Sequence, residues 1–327
     1  MTHNILFIVN NYSYFNNEPP TGPKSLIKLL EICSENNNNI FIYIKNNHKE
    51  INFGINNLKI LKDANIFIKL FLLVNCIKVK PDIIIVDRAN IVFGFFLKMV
   101  MNKPLVLRML GRGKRLQSLK FISYRNLLML MSHLIPFDLI IETIDGSYPL
   151  SDRFLKSKKY RQRINGVTKR GLGKKDNKKF VTVARFSSEK RLDLVVERFN
   201  SLNQERNFEL SLFGCNQKEF VHKYKNINID YVKFMGFRSI TEIEKALAVS
   251  HTFISGNTLG CLGNAELEAI SFNCKILYLH KILQKSIPQN LLRFFSQTSH
   301  ENINQKEIPG FHETHFEDYL AINQLIK

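Results

Sequence analysis

The sequence predicts an α/β protein made of two doubly wound, Rossmann-like domains facing each other across a cleft, and three observations carry that prediction. Short apolar runs alternate with helix-like stretches through residues 1–143, and the same alternation restarts at Phe180. Between the two series, residues 151–179 hold twelve lysines and arginines against two aspartates. Late in the second series, residues 255–272 (SGNTLGCLGNAELEAISF) run from a strand through a glycine-punctuated loop into a helix.

In the first series, residues 4–9 (NILFIV) read as a buried parallel strand, followed by a polar loop with Pro19, Pro20, Gly22 and Pro23. A helix over 25–34 places Leu26, Leu29, Leu30 and Cys33 on one stripe. Further strands fall at 40–44 (IFIYI), 82–86 (DIIIV), 105–108 (LVLR) and 138–143 (DLIIET). The basic stretch 151–179 reads as a short helix and an exposed connection through Gly166, Gly171 and Gly173, its charges forming a solvated face. In the second series, strands are expected at 180–184, 208–213, 232–235, 252–254 and 275–279, and helices at 192–202, at 241–249 and after Gly263. The expected domains are 1–165, with 316–327 packing back on it, and 166–315.

Composition narrows the function classes. A chain of 327 residues with 45% hydrophobic residues can fill two cores. The formal net charge of +19 calls for an anionic partner: nucleic acid, acidic phospholipid or a phosphorylated substrate. No zinc-ligand spacing, aromatic ribonucleoprotein pattern or basic zipper supports nucleic acid. The five cysteines (Cys33, Cys76, Cys215, Cys261, Cys274) are scattered and mostly inside apolar runs, as in a reducing compartment. No Cys/His cluster suggests a metal. Residues 1–9 read as a strand rather than a signal peptide, and the apolar runs 66–77 and 91–101 are too short to span a bilayer of roughly 30 Å.

Two stretches point to phosphate chemistry. Glycines at 256, 260 and 263 let backbone amides approach a ligand, and the helix start after Gly263 offers unpaired N–H groups with partial positive charge. Glu268 lies about one and a half helical turns past Gly263, where a carboxylate can accept from sugar hydroxyls. Glu266 points roughly 200° away around the helix. The plainer reading is a strand–loop–helix turn that binds nothing. The turn after Ala184 (RFSSEKRLD) sets Arg185 at a strand end and Lys190 at a helix start, two cations suited to a diphosphate. Its plainer reading is a surface turn pairing Glu189 with Arg191.

Together these segments resemble a known family. VTVARFSSEKRLDLVVERF (181–199) is similar to the strand–turn–helix opening the C-terminal domain of family-4 retaining glycosyltransferases with the two-domain GT-B fold. LSLFG, VKFMGF and SHTFIS follow in that domain's order, and GNAELEAISFNCKIL is similar to its donor-site loop and helix. RINGV (163–167) resembles its Asn-Gly-Val entry. The resemblance implies that Arg185 and Lys190 hold the donor diphosphate and serve catalysis, and that Glu268 binds the ribose. It implies that Gly263 and Asn264 give amides to the distal phosphate or sugar, with Gly22 and Gly214 completing the donor set. The family's earlier glutamate is here Gly260, and a histidine often found at a first-domain strand end is here Leu110.

The expected activity is a metal-independent, hexosyltransferase-type glycosyl transfer without a cofactor. A nucleotide sugar, expected to be a UDP-sugar, donates with retention to a glycan or lipid-linked acceptor in surface polysaccharide biosynthesis. The 1–165 domain would bind acceptor and the 166–315 domain the nucleotide sugar. A cytoplasmic protein is expected, with a peripheral contact on the inner face of the cytoplasmic membrane. That contact would use Lys98, Lys103, Arg108, Arg112, Lys114, Arg115, Lys120 and Arg125 beside the apolar stretch 119–137; a core helix beside solvated lysines is the alternative. Two other functions stay open: a non-catalytic GT-B subunit, suggested by Gly260 and Leu110, and a nucleic-acid-binding protein.

Overall fold

The structure, a computed structural model, describes residues 2–9, 21–44, 54–61, 68–87, 90–110, 135–143, 160–163, 165–168, 170, 173–204, 207–258, 263–279 and 309–326. Along the chain come β1 (Asn4–Val9), α1 (Thr21–Glu35), β2 (Asn39–Ile44), β3 (Leu58–Leu61), α2 (Ile68–Val79), β4 (Ile83–Asp87), α3 (Ile91–Met101), β5 (Leu105–Leu110), β6 (Leu139–Thr143) and β7 (Tyr160–Arg163). There follow β8 (Asp176–Val183), a 3-10 turn (Ser188–Lys190), α4 (Leu192–Leu202), β9 (Glu209–Phe213), α5 (Gln217–Lys223), β10 (Val232–Gly236), α6 (Ile240–Val249), β11 (Ser250–Ser255), α7 (Asn264–Ser271), β12 (Lys275–Tyr278) and α8 (Phe311–Asn323). The chain divides into two compact units, Met1–Ile164 with His312–Lys327, and Asn165–Phe311.

The first unit is a parallel sheet ordered β3-β2-β1-β4-β5-β6-β7. Strand alternation sends Ile5, Phe7 and Val9 to one face, against Leu26, Leu29, Leu30 and Cys33 of α1 and Tyr319 and Ile322 of α8. Leu6 and Ile8 face the other way, against Cys76 of α2 and Ile91 and Leu97 of α3. Such two-sided burial is why β1 and β4 read as unbroken apolar runs. Burial pushes the Cys33 and Cys76 thiols up to about 12, leaving both protonated and inert.

Gly22 lies in the first turn of α1 rather than in the polar loop that the sequence suggests. Pro23 does not break the helix there, because first-turn N–H groups have no intrahelical partner to lose. The basic stretch is not uniformly solvated. Arg161 and Arg163 stand on β7, Arg163 is buried, and Asp318 of α8 pairs with Arg163 at 2.5 Å and with Arg161 at 3.0 Å. Glu317 also pairs with Arg161. Burial lowers the Arg163 guanidinium to about 10 while Asp318 pulls it back up, so it stays charged at neutral pH.

The expected basic membrane patch is likewise partly internal. Arg108 is buried and donates to Ser25 Oγ at 2.7 Å, with His315 Nε2 also 2.7 Å from that oxygen. Lys98 pairs with Asp138 and Lys103 lies 3.7 Å from Asp82. Residues 112–134, with the remaining basic positions, lie outside the described residues.

The second unit is a parallel sheet ordered β10-β9-β8-β11-β12. Val195, Val196 and Phe199 of α4 and Phe220 of α5 pack on Phe180, Leu210, Leu212 and Ile254. β8 begins at Asp176 rather than 180, so Lys178 and Lys179 form its polar first half instead of a connection. α6 starts with a capping box in which Ser239 and Glu242 satisfy each other's backbone N–H groups.

Candidate functional site

In the second sheet β8 has β9 on one side and β11 on the other, so the strand order reverses between β8 and β11. Crevices beyond the carboxyl ends at such a reversal are where open α/β sheets bind ligands. The turn carrying Arg185 and Lys190 leaves β8 at this point, and the loop entering α7 leaves β11 beside it.

Backbone contacts lock the turn and the loop together. Thr258 N donates to the Glu189 carbonyl at 2.9 Å, and Thr258 Oγ1 donates to the same oxygen at 3.1 Å. Gly256 lies against the turn: a Cβ there would stand 2.4 Å from Lys190 O and 2.8 Å from Arg191 O. Only glycine permits that approach. Gly214 performs a similar task at the ends of β8, β9 and β10. Its φ is +84°, its N–H donates to Gly236 O at 2.7 Å, and a Cβ would meet Ala184 O at 2.4 Å.

Arg185 is exposed and Lys190 part-buried, and neither forms an ion pair among the described residues. Arg191, which the plainer reading of the turn pairs with Glu189, instead pairs with Asp193 at 2.7 Å. Its left-handed backbone, φ +38°, turns the chain into α4 and brings the guanidinium over the first-turn carboxylate. That hydrogen bond raises the Arg191 guanidinium. The Glu189 carboxyl is lowered, chiefly by its own backbone N–H, with Arg185 and Lys190 adding weaker attraction.

Gly263 is the N-cap of α7 with extended backbone and contributes no side-chain cap, so the first-turn amides are not closed off from that residue. Asn264 follows, its Oδ1 accepting from Asn165 Nδ2 at 2.6 Å. The two helix acids part as their spacing demands. Glu268 is half-buried. Glu266 is only 3% exposed, and its Oε1 accepts from Ser255 Oγ at 2.6 Å. Glu266 Oε2 is buried without a hydrogen-bond partner among the described residues, 2.6 Å from where a Gly263 Cβ would stand.

The second unit thus gathers Arg185, Lys190, Gly214, Gly263, Asn264 and Glu268 at the carboxyl side of one sheet, while Gly22 belongs to α1 of the first unit. Gly260 and the Leu110 side chain lie outside the described residues. Asn165 and the buried Ser255–Glu266 pair were not anticipated. The pairing of Asn165 with Asn264 spans 99 positions and leaves no local signal, although Asn165 sits in the Asn-Gly-Val stretch already noted. Among the described residues no group of three or more His, Cys, Asp or Glu side chains could hold a metal ion.

Comparison with solved structures identifies the fold. Sucrose-phosphate synthase from Thermosynechococcus elongatus superposes with a TM-score of 0.61 at 11% identity, over 99% of this chain and 95% of that one. The catalytic domain of starch synthase IV from Arabidopsis thaliana, bound to ADP and acarbose, gives 0.61 at 10% identity with full coverage of both (100% and 100%). Anabaena HepE in complex with UDP-glucose gives 0.59 at 13% identity, over 99% and 92%. With its two parallel α/β sheets, the chain has the GT-B fold. Residues 167–280 match the sequence model of the family described as Glycosyl transferases group 1. No curated protein matches the chain.

Proposed function

We propose that the chain is a nucleotide-sugar-dependent glycosyltransferase. It moves a hexosyl group, with retention and without a metal, from a UDP-sugar to a glycan or lipid-linked acceptor in surface polysaccharide synthesis. The carrying observation is that two cations without ion pairs among the described residues, Arg185 and Lys190, share the strand-order reversal with the helix N-terminus at Gly263. A diphosphate seated there meets both positive side chains and the first-turn amides of α7, which together do the charge neutralisation a divalent cation would otherwise supply. As the glycosidic bond to the distal phosphate breaks, the negative charge develops on that oxygen, where these groups stabilise it. No carboxylate pair for acid–base work is legible in the first half of the sequence. The departing phosphate oxygen therefore takes the acceptor's proton on the same face, which keeps the anomeric configuration. The first unit binds the acceptor in this reading, and the complexes with UDP-glucose and ADP among the structural neighbours support a nucleotide in the second.

Glu268 takes the ribose. The Glu268→Gln variant is expected to lose more than tenfold in UDP affinity by calorimetry, with an unchanged melting temperature and a smaller loss for 2′-deoxy-UDP. A ten-fold loss is about 1.4 kcal/mol, within reach of one charge-assisted hydrogen bond. Full UDP affinity in the variant overturns the ribose assignment. Donor turnover by the purified chain separates the enzyme from a non-catalytic GT-B subunit, and the anomeric form of the product, read by NMR, tests retention.

A further inference from the structure

Neither α2 (IKLFLLVNCIKV) nor α3 (IVFGFFLKMVM) carries an acidic residue. On α3 the positions Ile91, Gly94 and Leu97 are buried against the sheet. Gly94 sits so close that a Cβ would lie 2.5 Å from Val86 Cγ1. The opposite face is apolar as well. Val92, Phe96, Met99 and Val100 follow the i, i+4, i+7, i+8 spacing of one stripe, and Met99 is 68% exposed, Phe96 and Val100 49% each. Val74 and Ile77 of α2 are also exposed. Cys76 of α2 joins Ile91 and Leu97 of α3 in one core cluster, so both outer faces stand on the same side of the first unit. A helix apolar all round is ordinarily covered, and a run of exposed apolar side chains marks an interaction surface.

Charge decides what covers it. Neither helix contributes a negative charge, and the chain as a whole carries a net charge of +19. Lys78 and Lys80 stand exposed at the end of α2. A second copy would bring like charge against like, whereas an acidic lipid surface brings the opposite sign and accepts apolar side chains below its headgroups. We propose that the outer face of α2 and α3 docks onto an anionic lipid bilayer, with Phe96, Met99 and Val100 entering the interface and Lys78 and Lys80 at the headgroups. This deepens the lipid-linked acceptor reading and rests on it for purpose, while its geometry is independent of the donor site.

The test sediments the full chain with vesicles of phosphatidylcholine alone or mixed with phosphatidylglycerol. The chain is expected to pellet with the mixed vesicles only and to be released by salt. In the Phe96→Ser/Met99→Ser variant the partition coefficient is expected to fall at least about tenfold, since two large apolar side chains leave the interface. Its melting temperature and UDP affinity should be unchanged. Lys78→Glu/Lys80→Glu should weaken binding without touching the apolar stripe, and it decides the matter if the first variant folds poorly. Failure of the wild-type chain to pellet, or equal pelleting of the variants, overturns the proposal. A wild-type dimer made monomeric by Phe96→Ser/Met99→Ser overturns it in favour of a second copy. Vesicle binding without UDP binding sinks the donor reading and leaves the docking face standing.

Discussion

Replacing Asp318 by alanine is expected to destabilise the first unit by about 3–5 kcal/mol, because it leaves a buried guanidinium without its counter-charge. Asp318 is fully buried and holds Arg163, itself 4% exposed, at 2.5 Å. Arg108 is also buried nearby and lowers the Arg163 guanidinium further, so removing the carboxylate leaves positive charges facing one another. Glu317 supplies the control. It pairs with Arg161 from an exposed position, and its alanine variant is expected to cost no more than about 1 kcal/mol. Chemical denaturation of both variants checks this. Comparable losses would mean that water reaches Arg163 and that α8 is held by its apolar contacts with α1 and the sheet instead. Asp318→Asn keeps the size and one acceptor oxygen, so its loss relative to alanine separates charge from shape.

That ion cluster shows where sequence reading stops. β1, β2, β4 and β6 were legible because a strand buried on both faces must be apolar throughout. β7, with the sequence YRQR, was not, since its arginines are neutralised by Asp318 and Glu317 more than 150 positions away. β3 is a four-residue edge strand in an asparagine-rich stretch, too short for its period to register. The placement of Gly263, Asn264 and Glu268 at a loop-to-helix junction was legible because the strand–glycine–helix order is local. The contact of Gly256 with Lys190 O was not, because it depends on β8 and β11 being neighbours, which only the strand order reveals. Glu266 and Glu268 were placed on different sides of the helix by spacing alone, but no local rule says that Ser255 holds Glu266 beneath the loop.

The Lys190→Ala variant is expected to lose about 2–4 kcal/mol of nucleotide-sugar binding energy, tens to hundreds of fold in affinity, as when a charge contact in a desolvated site is truncated. The backbone of Lys190 is fixed by Gly256, and the adjoining Glu189 carbonyl accepts both hydrogen bonds from Thr258. The turn's backbone is therefore already held, and only the lysine side chain is left to be ordered when a diphosphate arrives. Lys174 is the matched control: it is exposed on the approach to β8, and Lys174→Ala should leave affinity intact. Lys175 cannot serve that purpose. Its Nζ donates to Leu247 O at 2.7 Å and burial lowers its ammonium, so replacing it disturbs the packing of α6 on β8. Arg185→Ala should lose affinity alongside Lys190→Ala, and the double variant should lose less than the sum, since both cations act on one anion. Raising the salt concentration distinguishes a fixed contact from a diffuse field. A net charge of +19 acting at a distance is screened within about 8–10 Å, and would make Lys174→Ala and Lys190→Ala equally harmful at low salt and equally harmless at high salt. A Lys190→Ala deficit that persists at high salt, with Lys174→Ala silent throughout, is the result a diphosphate seated between the turn and α7 requires.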